Sequence, residues 1–144
     1  MTDKEFKERY TGLKPLLRRP GTTLDRAVIP SVQLPDEYDW RNYNVVTPVK
    51  NQGQCGSCWA FSVTGNVEGL YGIRHGQLIS LSEQELVDCD KLDSGCNGGL
   101  PENAYKAIKD LGGLESENDY PYNGHQNKCK LDRNITQVQV GAIF

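Results

Sequence analysis

Cys58 stands where a glycine-rich loop runs into an amphipathic stretch, in Gln52-Gly53-Gln54-Cys55-Gly56-Ser57-Cys58-Trp59-Ala60-Phe61-Ser62. A thiol in the first turn of a helix faces unpaired backbone N–H groups and the positive end of the helix dipole, both of which favour thiolate over thiol. The thiolate is the attacking species. Gln52 lies six residues upstream, and its side-chain amide can donate to an oxyanion forming beside the sulfur, the second requirement of acyl transfer. Two other chemistries use C-x-x-C. A thioredoxin-like redox motif should follow a buried apolar strand, but Pro48-Val49-Lys50-Asn51-Gln52-Gly53 does not form one. A structural zinc site often begins with C-x2-C, yet the downstream Cys89 and Cys96 are seven apart with no histidine nearby, so no metal is expected.

A sulfur nucleophile of this kind needs an imidazole base, held by a third group. The chain has two histidines. His75 lies about 25 Å from Cys58 if the intervening residues are helical, too far to act. His125 sits in the polar run Asn123-Gly124-His125-Gln126-Asn127-Lys128 and reads as a solvated loop histidine. Neither histidine reads as the base, and the chain by itself is expected not to turn over peptides. The competing class is a binding or regulatory fragment with no chemistry.

Three helices must position the loop. From Ser57 to about Arg74 the residues Trp59, Phe61, Val63, Val67, Leu70, Tyr71 and Ile73 recur at helical spacing, with Gly76 as a stop. Gly65, Gly69 and Gly72 each cost this helix roughly 1 kcal/mol against alanine, so close packing against another backbone is the expected compensation. A second helix covers Ser82–Val87, with Ser82 and Glu85 spaced as a capping box. A third runs from Pro101 to Leu111, followed by Gly112-Gly113. Between the last two lies Asp93-Ser94-Gly95-Cys96-Asn97-Gly98-Gly99-Leu100-Pro101, where adjacent glycines can open a backbone edge to an extended peptide. A side chain introduced at Gly99 is expected to stand in that peptide's path. Trp40 and Trp59 read as core residues. Gln137–Val140 alternates as a strand should, and an apolar strand ending at Phe144 with nothing to pair against suggests a truncated chain.

Length and charge narrow the class further. The 144 residues suffice for one domain with a modest core. No apolar run approaches the roughly 20 residues needed to span a bilayer, and Met1–Lys7 lacks the apolar segment of a signal peptide. Residues 1–31 carry seven Lys or Arg against four Asp or Glu, and residues 32–144 nine against fifteen. A basic leader thus precedes an acidic body and can be held on it by charge. Neither part interleaves basic and aromatic residues, so nucleic acid is not an expected partner. Five cysteines suit an oxidising compartment, and an odd count leaves one thiol free if four pair.

Cys55-Gly56-Ser57-Cys58-Trp59 and its flanks resemble the nucleophile loop of the papain-like cysteine peptidases. Val32-Gln33-Leu34-Pro35-Asp36-Glu37-Tyr38-Asp39-Trp40-Arg41 resembles that family's mature amino terminus. The resemblance covers about residues 32–144. It implies an α+β papain-like fold with only the helical left domain present: residues 1–33 a propeptide tail, 34–134 the left domain, and 135–144 the first strand of a β-rich right domain. It implies Cys58 and Gln52 as catalytic, and Gly98, Gly99, Leu100, Pro101 and Trp59 as substrate-binding. Disulfides Cys55–Cys96 and Cys89–Cys129 are implied too, with Cys58 free. Expected partners are peptide or protein substrates, the chain's own propeptide and a missing carboxy-terminal half. The complete protein would be a monomer, with no membrane partner and no cofactor. A lysosomal or secreted location would follow, and Asn134-Ile135-Thr136 would be a glycosylation sequon on Asn134. The leader is expected to lie extended over Arg18–Thr23, after a helical turn at Asp3–Tyr10.

Overall fold

The computed structural model describes residues 1–10 and 28–138. The helices are α1 (Asp3–Tyr10), α2 (Cys58–His75), α3 (Glu83–Cys89) and α4 (Pro101–Leu111), with 3-10 turns at Trp40–Tyr43 and Gly95–Asn97. Among the described residues there is no strand, only isolated antiparallel bridges pairing Leu81 with Ser116 and Leu114 with Val138. Of the expected strand, Val138 therefore makes a single bridge to the helical body, and residues 139–144 lie outside the described part. The expected extended leader at Arg18–Thr23 lies outside it as well.

The apolar spacing of α2 turns Trp59, Ala60, Val63 and Val67 to one side. They pack on Leu86 and Val87 of α3 and on Ala104 and Ile108 of α4, and Leu81, Leu114 and Val138 close the core. Truncating a residue such as Ile108, fully buried, to alanine would cost about 2–5 kcal/mol. Two of the three α2 glycines have the expected reason. A Cβ on Gly69 would lie 3.3 Å from the Val45 carbonyl oxygen, and one on Gly72 3.2 Å from the Val45 side chain. Gly65 has no such reason, because a Cβ there meets nothing within 4 Å. The helix ends on Gly76, left-handed at φ 67°, whose N–H returns to the Gly72 carbonyl.

Helix α3 keeps half of its expected capping box. Ser82 Oγ accepts from Glu85 N–H at 2.9 Å, but the Glu85 carboxylate does not return to Ser82. It accepts instead from Glu115 N–H at 2.7 Å, while Ser82 N–H donates to the Glu115 carbonyl. The α3 start is thereby stitched to the chain after α4. Helix α4 begins with Pro101, where a missing N–H costs nothing, and ends on left-handed Gly112.

Trp40 departs from expectation. It is 48% exposed, because the 3-10 turn at Trp40–Tyr43 holds it against Tyr38 and Tyr43, with ring centroids 4.9 and 5.9 Å away, instead of in the core. Trp59 is buried as expected.

Candidate active site

The segment leading to the loop is fixed by buried charge. Lys50 Nζ lies 2.7 Å from Glu68 Oε1 on α2 and 2.6 Å from Glu83 Oε1 on α3. Thr47 donates to Glu68 Oε2, Thr64 donates to Glu83 Oε1, and Leu81 N–H donates to Glu68 Oε1. Burial pulls the Lys50 ammonium down, but its two carboxylate partners outweigh that and leave it raised. One cation thus joins the segment approaching the loop to both helices. Sequence reasoning missed this cluster; its trace is Glu68 one helical turn after Thr64 on the buried side of α2.

From Lys50 the chain enters the glycine-rich loop, where Gly53 takes φ 63°. Gln52 Nε2 donates to the Cys55 carbonyl at 2.9 Å, which folds its amide back over the loop and leaves its second N–H to offer. Cys55 is bonded to Cys96, and Gly56 N–H donates to the Cys96 carbonyl at 2.8 Å. The second disulfide is Cys89–Cys129, and the free thiol is the half-buried Cys58, the first residue of α2. Both expected pairings are present.

Ser57 is the residue before α2, but its side chain makes no capping bond. Its hydroxyl pairs with Tyr122 Oη at 2.7 Å instead. Tyr122 Oη in turn donates to the Gln52 carbonyl at 2.7 Å, and its ring meets Phe61 edge-on at 4.9 Å. Burial pushes the Tyr122 phenol up, so it stays protonated as a donor. Nothing local in the sequence announces this role for Tyr122, whose partner Ser57 lies 65 residues away.

The Cys55–Cys96 bond brings the Gly98–Pro101 stretch beside this loop. Gly98 takes φ 119°, a region open essentially to glycine. Its N–H donates to the Gly95 carbonyl and its own carbonyl accepts from Ser94. Both main-chain groups of Gly98 are thus used inside the turn, and Gly99 is buried beside it. A Cβ on Gly99 would lie 2.5 Å from the Trp59 indole and 2.8 Å from Asp93 Cγ. A side chain there would strike the floor beneath the loop, so a substitution at Gly99 disturbs the packing of Trp59. Trp59 is that floor: 2% exposed, with Nε1 donating to the Gly95 carbonyl at 3.2 Å. Asp93 Oδ1 accepts from Leu100 N–H and from Asn103 Nδ2, both at 3.0 Å, so Leu100 and Pro101 are held half-exposed at the mouth of α4.

Neither histidine approaches the thiol by any hydrogen bond among the described residues. His75 ends α2 and stacks on Tyr71 at 4.3 Å. His125 is exposed, its N–H donating to Asn123 Oδ1 and its carbonyl accepting from Gln84. No group of three or more His, Cys, Asp or Glu suited to a metal ion occurs among the described residues, and no described helix is long and apolar enough to cross a membrane.

Residues 34–143 match the family model described as "Papain family cysteine protease". The chain belongs to the papain family of cysteine proteases. It is 57% identical over 145 residues to cathepsin F of Drosophila melanogaster, covering 99% of this chain and 24% of that protein. It is 53% identical to cathepsin F of Mus musculus, covering 97% of this chain and 30% of that protein. The likeness to cathepsin F visible in Ser62–Gly69 and Gly112–Glu115 thus extends along nearly the whole chain. The fold resembles that of digestive procathepsin L2 from the Tenebrio molitor larval midgut, with TM-score 0.79 and 38% identity over 96% of this chain and 47% of that one. It also resembles the proform of the ragweed pollen allergen Amb a 11, with TM-score 0.67 and 48% identity over 69% of this chain and 31% of that one. The fold is therefore papain-like, and the described residues build its helical domain. The chain spans about a quarter to a third of the length of its cathepsin F relatives.

Proposed function

We propose that this chain carries the nucleophile and one wall of the cleft of a cysteine endopeptidase. The observation behind the reading is the free Cys58 thiol at the first residue of α2, beside a loop that presents the Gln52 amide. In the reaction, the Cys58 thiolate attacks the scissile carbonyl carbon, and Gln52 donates to the oxygen as it gains charge. The carbon–nitrogen bond breaks, the amine leaves with a proton, and water then hydrolyses the thioester. Gly99 lends its backbone to the extended substrate, Leu100 and Pro101 line an apolar side-chain pocket, and Trp59 supports the floor.

The base that takes and returns the proton, and the group that orients it, come from outside these 144 residues. That fits the positions of His75 and His125 and the greater length of the relatives. Residues 1–33, outside the family match, serve as a propeptide segment with the complete enzyme a monomer. Asn134, exposed and donating through Nδ2 to Asp132, carries a glycan. Two disulfides suit folding in the secretory pathway, and the protein acts in the lysosome or outside the cell.

General acid–base help contributes typically 10² to 10⁴-fold, so the purified chain should not turn over a fluorogenic peptide. Supplying the remaining domain, fused or in trans, should give hydrolysis that Cys58→Ala abolishes. Turnover by the chain alone, lost in both Cys58→Ala and His125→Ala, would place the base at His125 and overturn this division of labour.

A further inference from the structure

One phenol joins the two ends of the nucleophile loop. Tyr122 Oη has a single proton, and it goes to the Gln52 carbonyl. The Ser57 hydroxyl must therefore be the donor in the 2.7 Å contact with Tyr122. Ser57 occupies the N-cap position of α2, where a serine ordinarily turns its oxygen onto the N–H of the second or third helical residue, here Trp59 or Ala60. It does not do so. The Ala60 N–H already donates to the Ser57 carbonyl at 2.9 Å. We infer that Tyr122 is a positioning residue for the nucleophile: by holding the Ser57 hydroxyl away from α2, it leaves the other first-turn N–H groups, those of Cys58 and Trp59, to the Cys58 sulfur.

Several contacts fit that role and would be surplus in a mere surface turn. The Tyr122 backbone N–H donates to Glu117 Oε1 at 2.8 Å, and the next residue's N–H donates to Gln84 Oε1 on α3 at 2.9 Å. With Phe61 against the ring, the hydroxyl is aimed by three separate elements. The carbonyl it grips belongs to Gln52, so the same phenol that holds Ser57 off the helix end also ties down the residue offering the oxyanion donor.

This inference rests on the reading of Cys58 as nucleophile, and one assay separates the two. Iodoacetamide alkylates thiolate, forming a carbon–sulfur bond as iodide leaves, so its rate on the disulfide-intact chain at pH 6 reports how far the thiolate is supported. Wild-type Cys58 should react at least about tenfold faster than free cysteine. Tyr122→Phe keeps the ring and releases Ser57 to cap the helix, and should slow alkylation roughly three- to tenfold. Ser57→Ala should leave the rate within about twofold of wild type, and adding it to Tyr122→Phe should restore reactivity, because no hydroxyl remains to compete. A tyrosine that only stiffened the loop could not be rescued by deleting a second hydroxyl.

A wild-type rate no greater than that of free cysteine sinks the nucleophile reading itself. A fast wild type with Tyr122→Phe unchanged, or a double variant as slow as Tyr122→Phe, overturns the role given to Tyr122. Should Tyr122→Phe fail to fold by circular dichroism, Ser57→Ala still decides: a tenfold loss there would mean that the hydroxyl itself supports the thiolate, contrary to the inference.

Discussion

Glu83 and Glu85 lie two residues apart on α3, both essentially without solvent exposure, and the protein treats them in opposite ways. Glu83 meets a cation and a hydroxyl, Lys50 at 2.6 Å and Thr64 at 2.6 Å. Glu85 meets one backbone N–H, that of Glu115, and its Oε1 has no hydrogen-bond partner. Burial first, and then the neighbouring Glu115 carboxylate, push Glu85 up to about 7, against the pull of that one N–H. Burial therefore does not decide a carboxylate's state by itself; the partners do. The charged side braces the loop that holds Cys58. The neutral side joins α3 to the segment after α4, where a proton can stand in for a partner.

The largest test removes the cation. Lys50→Met leaves Glu68 and Glu83 buried without their counter-charge, and breaking a buried pair of this kind costs roughly 3–5 kcal/mol. The Lys50 side chain is 23% exposed, which favours the lower end. Urea unfolding at pH 7 should show it. A loss below about 1 kcal/mol would mean that the cluster is no better than a surface pair.

Glu85→Gln should act with the opposite sign. A carboxyl whose folded value lies near 7, against an ordinary 4.5, binds its proton more tightly when folded. Its stabilising effect is complete below about pH 4.5 and is lost as pH rises toward 7, an amount on the order of 3 kcal/mol. Asp90, pushed up to about 6 mainly by burial, adds a loss of the same sign. The Gln variant should match wild type near pH 4.5, exceed it at pH 8, and flatten the unfolding free energy between the two. A wild-type curve already flat across that window would put Glu85 on the same footing as Glu83. Thr64→Val then probes the charged side more gently: one hydrogen bond to a charged group goes, worth about 1.5 kcal/mol, with little change in slope against pH.

What was legible in the sequence divides along similar lines. Helix α4 was readable to the residue, because Pro101 and Gly112 are local signals with local causes. The Cys58 loop was readable through the spacing of Cys55–Trp59, whereas both disulfides were readable only through the family resemblance, since five cysteines alone allow many pairings. The Lys50 cluster, the Tyr122 bridge and the turn of Glu85 toward Glu115 were not, since each joins residues 18 to 70 positions apart through side chains that look solvated in a string. Trp40 and Gly65 failed for another reason. A tryptophan and a helical glycine each suggest packing, but whether a neighbour comes to meet them is settled by the fold.

The smallest effect belongs to Ser82, which serves both glutamates alike. Its Oγ accepts from Glu85 N–H at 2.9 Å and donates to the Tyr120 carbonyl at 2.6 Å, fixing the start of α3 whatever the charge on either side chain. Ser82→Ala should cost about 1 kcal/mol, the usual worth of an N-cap. Because the cap bonds backbone groups that do not titrate, that cost should be the same at pH 5 and pH 8. It should also add to the effect of Lys50→Met within about 0.5 kcal/mol. A cost that grew with pH would instead show the Ser82 hydroxyl coupled to ionisation of Glu85, making the α3 cap part of the neutral side and not common ground between the two.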